Sequence, residues 1–281
     1  MGGRRWCQLA VIREKGLLIL IKKYLRPIKN VVQSLTPVLY TAMKKAKDRA
    51  VAKSVLAHLG NTVAGGPFTG MKYIPEATGS AFTPKLVGSY EAELFPVIAH
   101  AGKSKYDAII DVGCAEGYYA VGFALVFPVT PVVAYDIDPH AQQLCMDLAV
   151  LNGVQGRVAI LGSCGPDDLI ARTGQRLLVI SDCEGYEGDL FTAPVAEALG
   201  NSDVIIELHE ENAPGLTNKI TTVFKETHLQ QMLPVTPRRV RDFPALKKIP
   251  LIYRRFAFDE LRFKDNQNWL WLTPKKPITE Q

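Results

Sequence analysis

The stretch "IIDVGCAEGYYA", Ile109 to Ala120, decides the fold. An apolar run through Val112 stops at Gly113, Gly117 follows four positions later, and an apolar, aromatic segment continues to Phe127. A short apolar run, two glycines and a helix-length apolar segment read as strand, tight turn and helix.

The same alternation repeats downstream. "PVVAYD" (131–136) precedes "PHAQQLCMDLAVLNG" (139–153), and "RVAILG" (157–162) precedes a short helix near Asp167–Ala171. "RLLVISD" (176–182) precedes a helix from about Asp189 to Leu199, and "SDVIIELH" (202–209) precedes one from about Leu216 to Thr227. Strands separated by crossover-length helices run parallel and are covered on both faces. Two later runs, "LQQMLPVT" (229–236) and "NWLWLTP" (268–274), bring the expected sheet to seven strands.

The rest of the chain divides around this core. Residues 1–60 read as a basic helical extension, broken at Pro27 and Pro37, with Gly60 as C-cap. Residues 61–105 form a loop-rich lead-in ending in a short helix, with Ser89 as its N-cap and a kink or a break at Pro96. The sheet domain occupies 106–281, with an Arg-, Lys- and aromatic-rich insertion at 237–267.

Composition narrows the function classes. The chain has 281 residues, 47% of them hydrophobic, which suffices for one large α/β domain with an appendage. The longest apolar run near the start, "GLLILI" (16–21), is too short for a membrane span and lacks a signal-peptide cleavage site. Cys7, Cys114, Cys145, Cys164 and Cys183 are scattered without a CxxC pair, so a reducing cytoplasm fits better than a zinc site or a disulfide framework. Residues 1–60 carry +11 and the remainder −6. Apolar residues interleaved with those cations favour a packed or membrane-lying helix over a nucleic-acid tail. The expected location is therefore cytoplasmic, peripheral to the inner face of a membrane.

The turn at 113–117 also speaks to a ligand. Ligands of open parallel sheets bind at the carboxyl ends of the strands. The G-x-x-x-G spacing is not the G-x-G-x-x-G of a dinucleotide site, and Asp111 and Glu116 oppose a pyrophosphate. A ligand bearing an ammonium and a sulfonium tolerates both acids. Asp136, or Asp138 beside it, ends the second strand where a carboxylate can accept both ribose hydroxyls.

Over residues 106–273 this constellation resembles the class I S-adenosylmethionine (SAM)-dependent methyltransferases, with "DVGCAEGYYA" as the glycine-rich loop and "YDIDP" as the ribose position. "ISDCEGYEGDLF" followed by "VIIELHEE" is similar to blocks of the FkbM-like members, and "GPFTGMKY" and "KLVGSYEAEL" look like their lead-in. The resemblance implies a Rossmann-like class I methyltransferase fold, α/β with a mostly parallel seven-stranded sheet and helices on both faces. It implies SAM as cofactor.

Under that resemblance Asp111, Gly113, Cys114 and Gly117 meet the methionine part, Asp136 and Ile137 the ribose, and Ser163 and Cys164 the adenine. Asp167 or Asp168 either accepts from the adenine amino group or caps a helix. Asp182, Glu184 and His209 lie at the ends of adjacent strands and are the expected catalytic group, with His209 as base. Asp182, Glu207 and His209 offer an alternative set of divalent-metal ligands, although no metal is predicted. Tyr90 and Glu91 are expected to close over the cofactor, Glu187 and Asp189 to begin the next helix, and Gly185 and Gly188 to form the turn. Arg238, Arg239, Arg241, Arg254 and Arg255 either recognise an anionic group or form a solvated face.

The expected function is O-methylation of a hydroxyl on a saccharide or other small metabolite, with an acceptor that is anionic or lipid-linked. "SDCEGY" lacks the N/D-P-P-Y/F signature of base methylation, so nucleic acid is not an expected partner. The alternatives are an RNA or protein methyltransferase and a non-catalytic scaffold or membrane adaptor on the same fold.

Overall fold

A computed structural model describes residues 37–77, 80–260 and 267–275. Seven strands, β1 (Ala108–Val112), β2 (Val132–Tyr135), β3 (Val158–Leu161), β4 (Leu177–Ser181), β5 (Asp203–His209), β6 (His228–Leu233) and β7 (Gln267–Pro274), form one sheet in the order β3-β2-β1-β4-β5-β7-β6. β1 to β5 pair in parallel, and β7 runs antiparallel between β5 and β6. This is the expected Rossmann-like sheet, seven-stranded and mostly parallel.

Side-chain alternation along each buried strand feeds two cores. One face packs Ile110, Val112, Val179, Val204 and Ile206 against Leu169, Phe191, Val195, Ile220 and Phe224 from the helices 166–170, 193–198 and 216–223 and their ends. On the other face the helix Tyr118–Val126 covers β1 and β2, and Tyr119 meets Trp269 edge-on. The order reverses at β1, since β2 lies on one side of it and β4 on the other, which opens a crevice at their carboxyl ends.

Residues 52–281 make one compact unit and the chain before them another. The described part of the N-terminal segment is helical from Pro37 to Leu59, and the break expected at Pro37 falls at the edge of the described residues. It ends at Gly60, whose φ of 69° supplies the expected left-handed cap. The break expected at Pro27 lies outside the described residues. Among the described residues no helix is long and apolar enough to cross a membrane.

Several local expectations are corrected. The lead-in contains an unexpected helix, Phe82–Val87, closed by Gly88 at φ 78°. Ser89 does not cap the next helix, because its hydroxyl turns back to the Pro84 carbonyl. Glu91 adopts a left-handed conformation, a 3-10 turn follows at Ala92–Leu94, and the helix runs only from Phe95 to Ala101. Pro96 stands in its first turn, where no N–H is needed, so it starts the helix rather than kinking it. The helix expected over 189–199 splits into Glu187–Leu190 and Ala193–Ala198, the second again opened by a proline. The 237–267 insertion contributes 3-10 turns and the helix Leu251–Ala257 among its described residues.

The lead-in is part of the fold rather than a linker. Phe68 is buried and meets the rings of Tyr118, Tyr119 and Phe123 edge-on at 5.2, 5.9 and 5.5 Å between centroids. Gly122 permits this approach, since a Cβ there would stand 2.6 Å from the Phe68 ring. Phe68→Ala should therefore cost about 3–5 kcal/mol in urea unfolding. A cost below about 1 kcal/mol, the range of exposed substitutions, would show that this docking contributes little.

Candidate functional site

A cavity of about 910 Å³ opens over the carboxyl ends of β1, β2, β4 and β5. Of the residues expected to bind cofactor, Asp111, Gly113, Cys114, Asp136, Ile137, Ser163, Cys164 and Asp182 line it, and so do Glu184 and His209. Gly117 does not. It takes a left-handed φ of 91° at the N-terminus of the helix 118–126, and a Cβ there would lie 2.6 Å from Cys145 Sγ. Its glycine is required by helix packing.

Gly113 is required for a different reason. At its φ of 81°, an added Cβ would sit 1.8 Å from the Asp182 carbonyl oxygen. The loop after β1 and the acidic turn after β4 are thus in backbone contact, tied further by the Asp182 N–H donating to Val112 at 2.9 Å. In the loop, Ala115 is left-handed at φ 48° and its N–H donates to Asp136 Oδ2 at 2.8 Å. The other Asp136 oxygen accepts from the Asp138 N–H at 2.9 Å. Asp138 itself caps the next helix by accepting from the His140 N–H at 2.9 Å. Both acids left open by the sequence line the cavity, and Asp138 is in addition a helix cap. Asp168 also acts as a cap, accepting from the Gly165 N–H at 2.7 Å.

Asp111 Oδ2 and the Tyr118 hydroxyl, buried atoms of residues on the cavity wall, have no hydrogen-bond partner among the described residues. Such atoms cost stability unless a ligand or water meets them. Burial pushes the Asp111 carboxyl up to about 8, opposed by the Ala120 N–H and reinforced by Asp182 and Asp136.

Glu116 is a second case. Although it stands in a loop, it is fully buried, accepts from the Tyr73 hydroxyl at 2.5 Å and is ion-paired with Lys85. The Lys85 ammonium lies 4.7 Å from the centroid of Tyr90 and 5.3 Å from that of Tyr118. Lys85 and Tyr90 therefore bring the lead-in to the cavity wall. Glu91 does not line it, and is buried against the Tyr119 hydroxyl. Nothing in the sequence marked Lys85, because its partner lies 31 residues away.

The opposite end is acidic. His209, 2% exposed, is bound through Nδ1 to Glu187 Oε1 at 3.1 Å. Glu187 is also buried and accepts from the Cys183 and Gly185 N–H groups at 3.0 and 2.9 Å. Around His209 Nε2 stand Asp182, Glu184 and Glu207, at 3.4, 3.6 and 3.8 Å. Burial alone would lower the imidazole's pKa, but Glu187, Asp182 and Glu184 outweigh it and raise it. For Glu187, burial acts upward and is overcome by the hydrogen bonds from His209 and the backbone, leaving its carboxyl below the usual range. Glu184 is left-handed at φ 55°, an unfavourable conformation for a non-glycine residue, held by Asn212 Nδ2 donating to its backbone and carboxylate oxygens at 3.3 and 3.1 Å. Glu187 does begin a helix as expected, but its carboxylate is spent on His209. Glu211 and Glu260 complete the acidic lining.

The insertion arginines divide. Arg238 forms ion pairs with Glu93 at 2.6 Å and with Glu260, locking the insertion to the lead-in. Arg254 donates to the Ile249 and Lys247 carbonyls at 2.7 and 3.0 Å. Both are structural, while Arg239, Arg241 and Arg255 are exposed.

No protein-family model and no curated protein matches the chain. Among solved structures it is similar to a putative O-methyltransferase from Klebsiella pneumoniae, at 11% identity and TM-score 0.44, covering 66% of this chain and 79% of that one. It is also similar to a precorrin-6y C5,15-methyltransferase from Geobacter metallireducens, at 10% identity and TM-score 0.44, covering 66% and 88%. A SAM-dependent O-methyltransferase from Thermotoga maritima aligns at 16% identity and TM-score 0.42, covering 66% of each.

The buried Asp111 carboxyl makes a signed prediction. Its raised pKa favours the protonated form in the fold, so its contribution to stability is full below about pH 4, the unfolded carboxyl value, and is lost as pH rises through about 8. In thermal melts without ligand, wild-type protein should lose more stability between pH 5 and 8 than Asp111→Asn does. Parallel pH profiles would rule this out.

Proposed function

We propose that the protein is a SAM-dependent methyltransferase of the FkbM type, acting on a hydroxyl of a saccharide or other small metabolite. One observation carries the reading: Asp111, with its unpartnered, buried oxygen, lines the same cavity as Asp136, across a glycine turn that brings backbone to the wall. Asp136 accepts hydrogen bonds from a ribose diol at one end, and an ammonium at the other end would stabilise the ionised form of Asp111 that burial disfavours, so the pair suits a ligand bearing both groups.

The remaining assignments follow along the cavity. Asp136 takes the ribose hydroxyls, beside Ile137 at the rim. Ser163 and Cys164 flank the adenine. The methionine part runs past Gly113 and Cys114, its ammonium at Asp111, and leaves the sulfonium facing Asp182. In the transfer the methyl C–S bond breaks, the electron pair stays on sulfur to give a neutral thioether, and the acceptor oxygen forms the new C–O bond. The hydroxyl proton passes to the Asp182, Glu184 and His209 group and then to water. Fixing of the acceptor oxygen by that group supplies the alignment that an in-line displacement needs.

Isothermal titration of the full chain with SAM tests this. Binding is expected in the micromolar range, and no heat at high micromolar SAM would sink the reading in favour of a non-catalytic scaffold. Asp136→Ala should weaken binding about 10–100-fold, the equivalent of one or two charge-assisted hydrogen bonds. Unchanged affinity would remove Asp136 from the ribose position.

A further inference from the structure

We propose that Asp182, Glu207 and His209 form a divalent-cation site at the acidic end of the cavity, suited to a first-row transition ion such as Mn²⁺. Its use in catalysis deepens the methyltransferase reading and rests on it; binding of the ion rests on the geometry alone.

The three donors converge because of the sheet. Glu207 and His209 are two residues apart on β5 and so point to one face. Asp182 is the first residue past the neighbouring strand, β4, and its place is fixed by the backbone contact with Gly113. One donor atom from each lies within 4.8 Å of the others. His209 Nε2 is 3.4 Å from Asp182 Oδ1 and 3.8 Å from Glu207 Oε2. Ligands about 2.1 Å from a shared ion, at tetrahedral or octahedral angles, stand about 3.0–3.5 Å apart. Both distances from Nε2 are within a few tenths of an ångström of that span, and the two carboxylates, within 4.8 Å of each other, complete the set by turning inward.

The imidazole supplies a second, independent observation. Its Nδ1 is committed to Glu187, which is itself held by two backbone N–H groups. With Nδ1 donating to Glu187, Nε2 is the nitrogen that faces the carboxylates, where an ion would take the place of its proton, as in the carboxylate–histidine geometry found behind metal ligands. Among the described residues no carboxylate oxygen lies at ordinary hydrogen-bond length from this buried Nε2; the nearest is at 3.4 Å. A ring nitrogen facing several anions is stable with a cation between them, either its own proton or a metal ion that displaces it. Two carboxylates and an imidazole suit Mn²⁺ and its neighbours, whereas Mg²⁺ prefers oxygen alone. An ion here would lower the pKa of an adjacent acceptor hydroxyl, leaving exposed Glu184 to carry the proton to water.

The test uses the EDTA-treated full chain, titrated with Mn²⁺ and followed by loss of the free-ion paramagnetic resonance signal. One site is expected with an affinity in the micromolar range. Asp182→Asn, at the more open position, should weaken it at least tenfold. Glu187→Gln, which touches no ion, should weaken it about 10–100-fold through the ligand it orients. Absence of Mn²⁺ binding up to 1 mM, taken as about the limit of a specific site, overturns the proposal. Binding indifferent to both substitutions does the same. SAM titration of the same sample separates the two readings: SAM binding without Mn²⁺ binding defeats the cation site alone, and Mn²⁺ binding without SAM binding defeats the methyltransferase reading alone.

Discussion

The contact between Gly113 and Asp182 is the constraint on which the site depends. A Cβ at Gly113 would stand 1.8 Å from the Asp182 carbonyl oxygen, so β1 and β4 leave the sheet with their backbones touching. One consequence is the left-handed turn into Ala115, whose N–H reaches Asp136 on β2's exit. Another is the position of the Asp182 side chain, delivered beside β5 and His209. Three loops from three strands are thus registered against one another by a single missing methyl group. The parallel sheet creates the crevice at its switch point, and this contact sets the spacing within it.

A second layer holds the first. Lys85 brings its charge to fully buried Glu116 and stacks over Tyr90 and Tyr118. Removing either partner of such a pair leaves an uncompensated buried charge, which is far costlier than the pair itself. Arg238 performs the same service between Glu93 and Glu260, linking the insertion to the lead-in. Elements on opposite sides of the sheet domain in sequence are joined through ion pairs that border the cavity.

How much of this the sequence disclosed follows from the range of each interaction. Strands and their order of alternation were readable because period and turn chemistry are local. The glycine turn and the candidates Asp111, Asp136, Asp182 and His209 were readable because strand ends in a parallel sheet share one edge. Gly117 shows the limit of such reading, because a glycine packed on Cys145 looks the same in sequence as one needed by a ligand. Glu116 and Arg238 were assigned no firm role because their partners lie 31 and 145 residues away, beyond any periodicity. Local sequence shows Glu187 only as a helix opener; its second task needs His209, 22 residues on, and the fold that joins them.

Charge gives the last constraint. Under the proposed function the basic N-terminal segment suits an anionic or lipid-linked acceptor, yet the end of the cavity proposed to receive it presents Asp182, Glu184, Glu207 and Glu211. An anion approaching those groups unaided is repelled in a partly buried site where screening is weak. Lys85 offers little relief, since its charge is already shared with Glu116. A neutral polyol can meet the acids as a hydrogen-bond donor. An anionic acceptor needs a positive charge placed between it and the carboxylates, and the Asp182, Glu207 and His209 donors converge where that charge would be held. The nature of the acceptor and the occupancy of that site are therefore one electrostatic question, set by how β4 and β5 end.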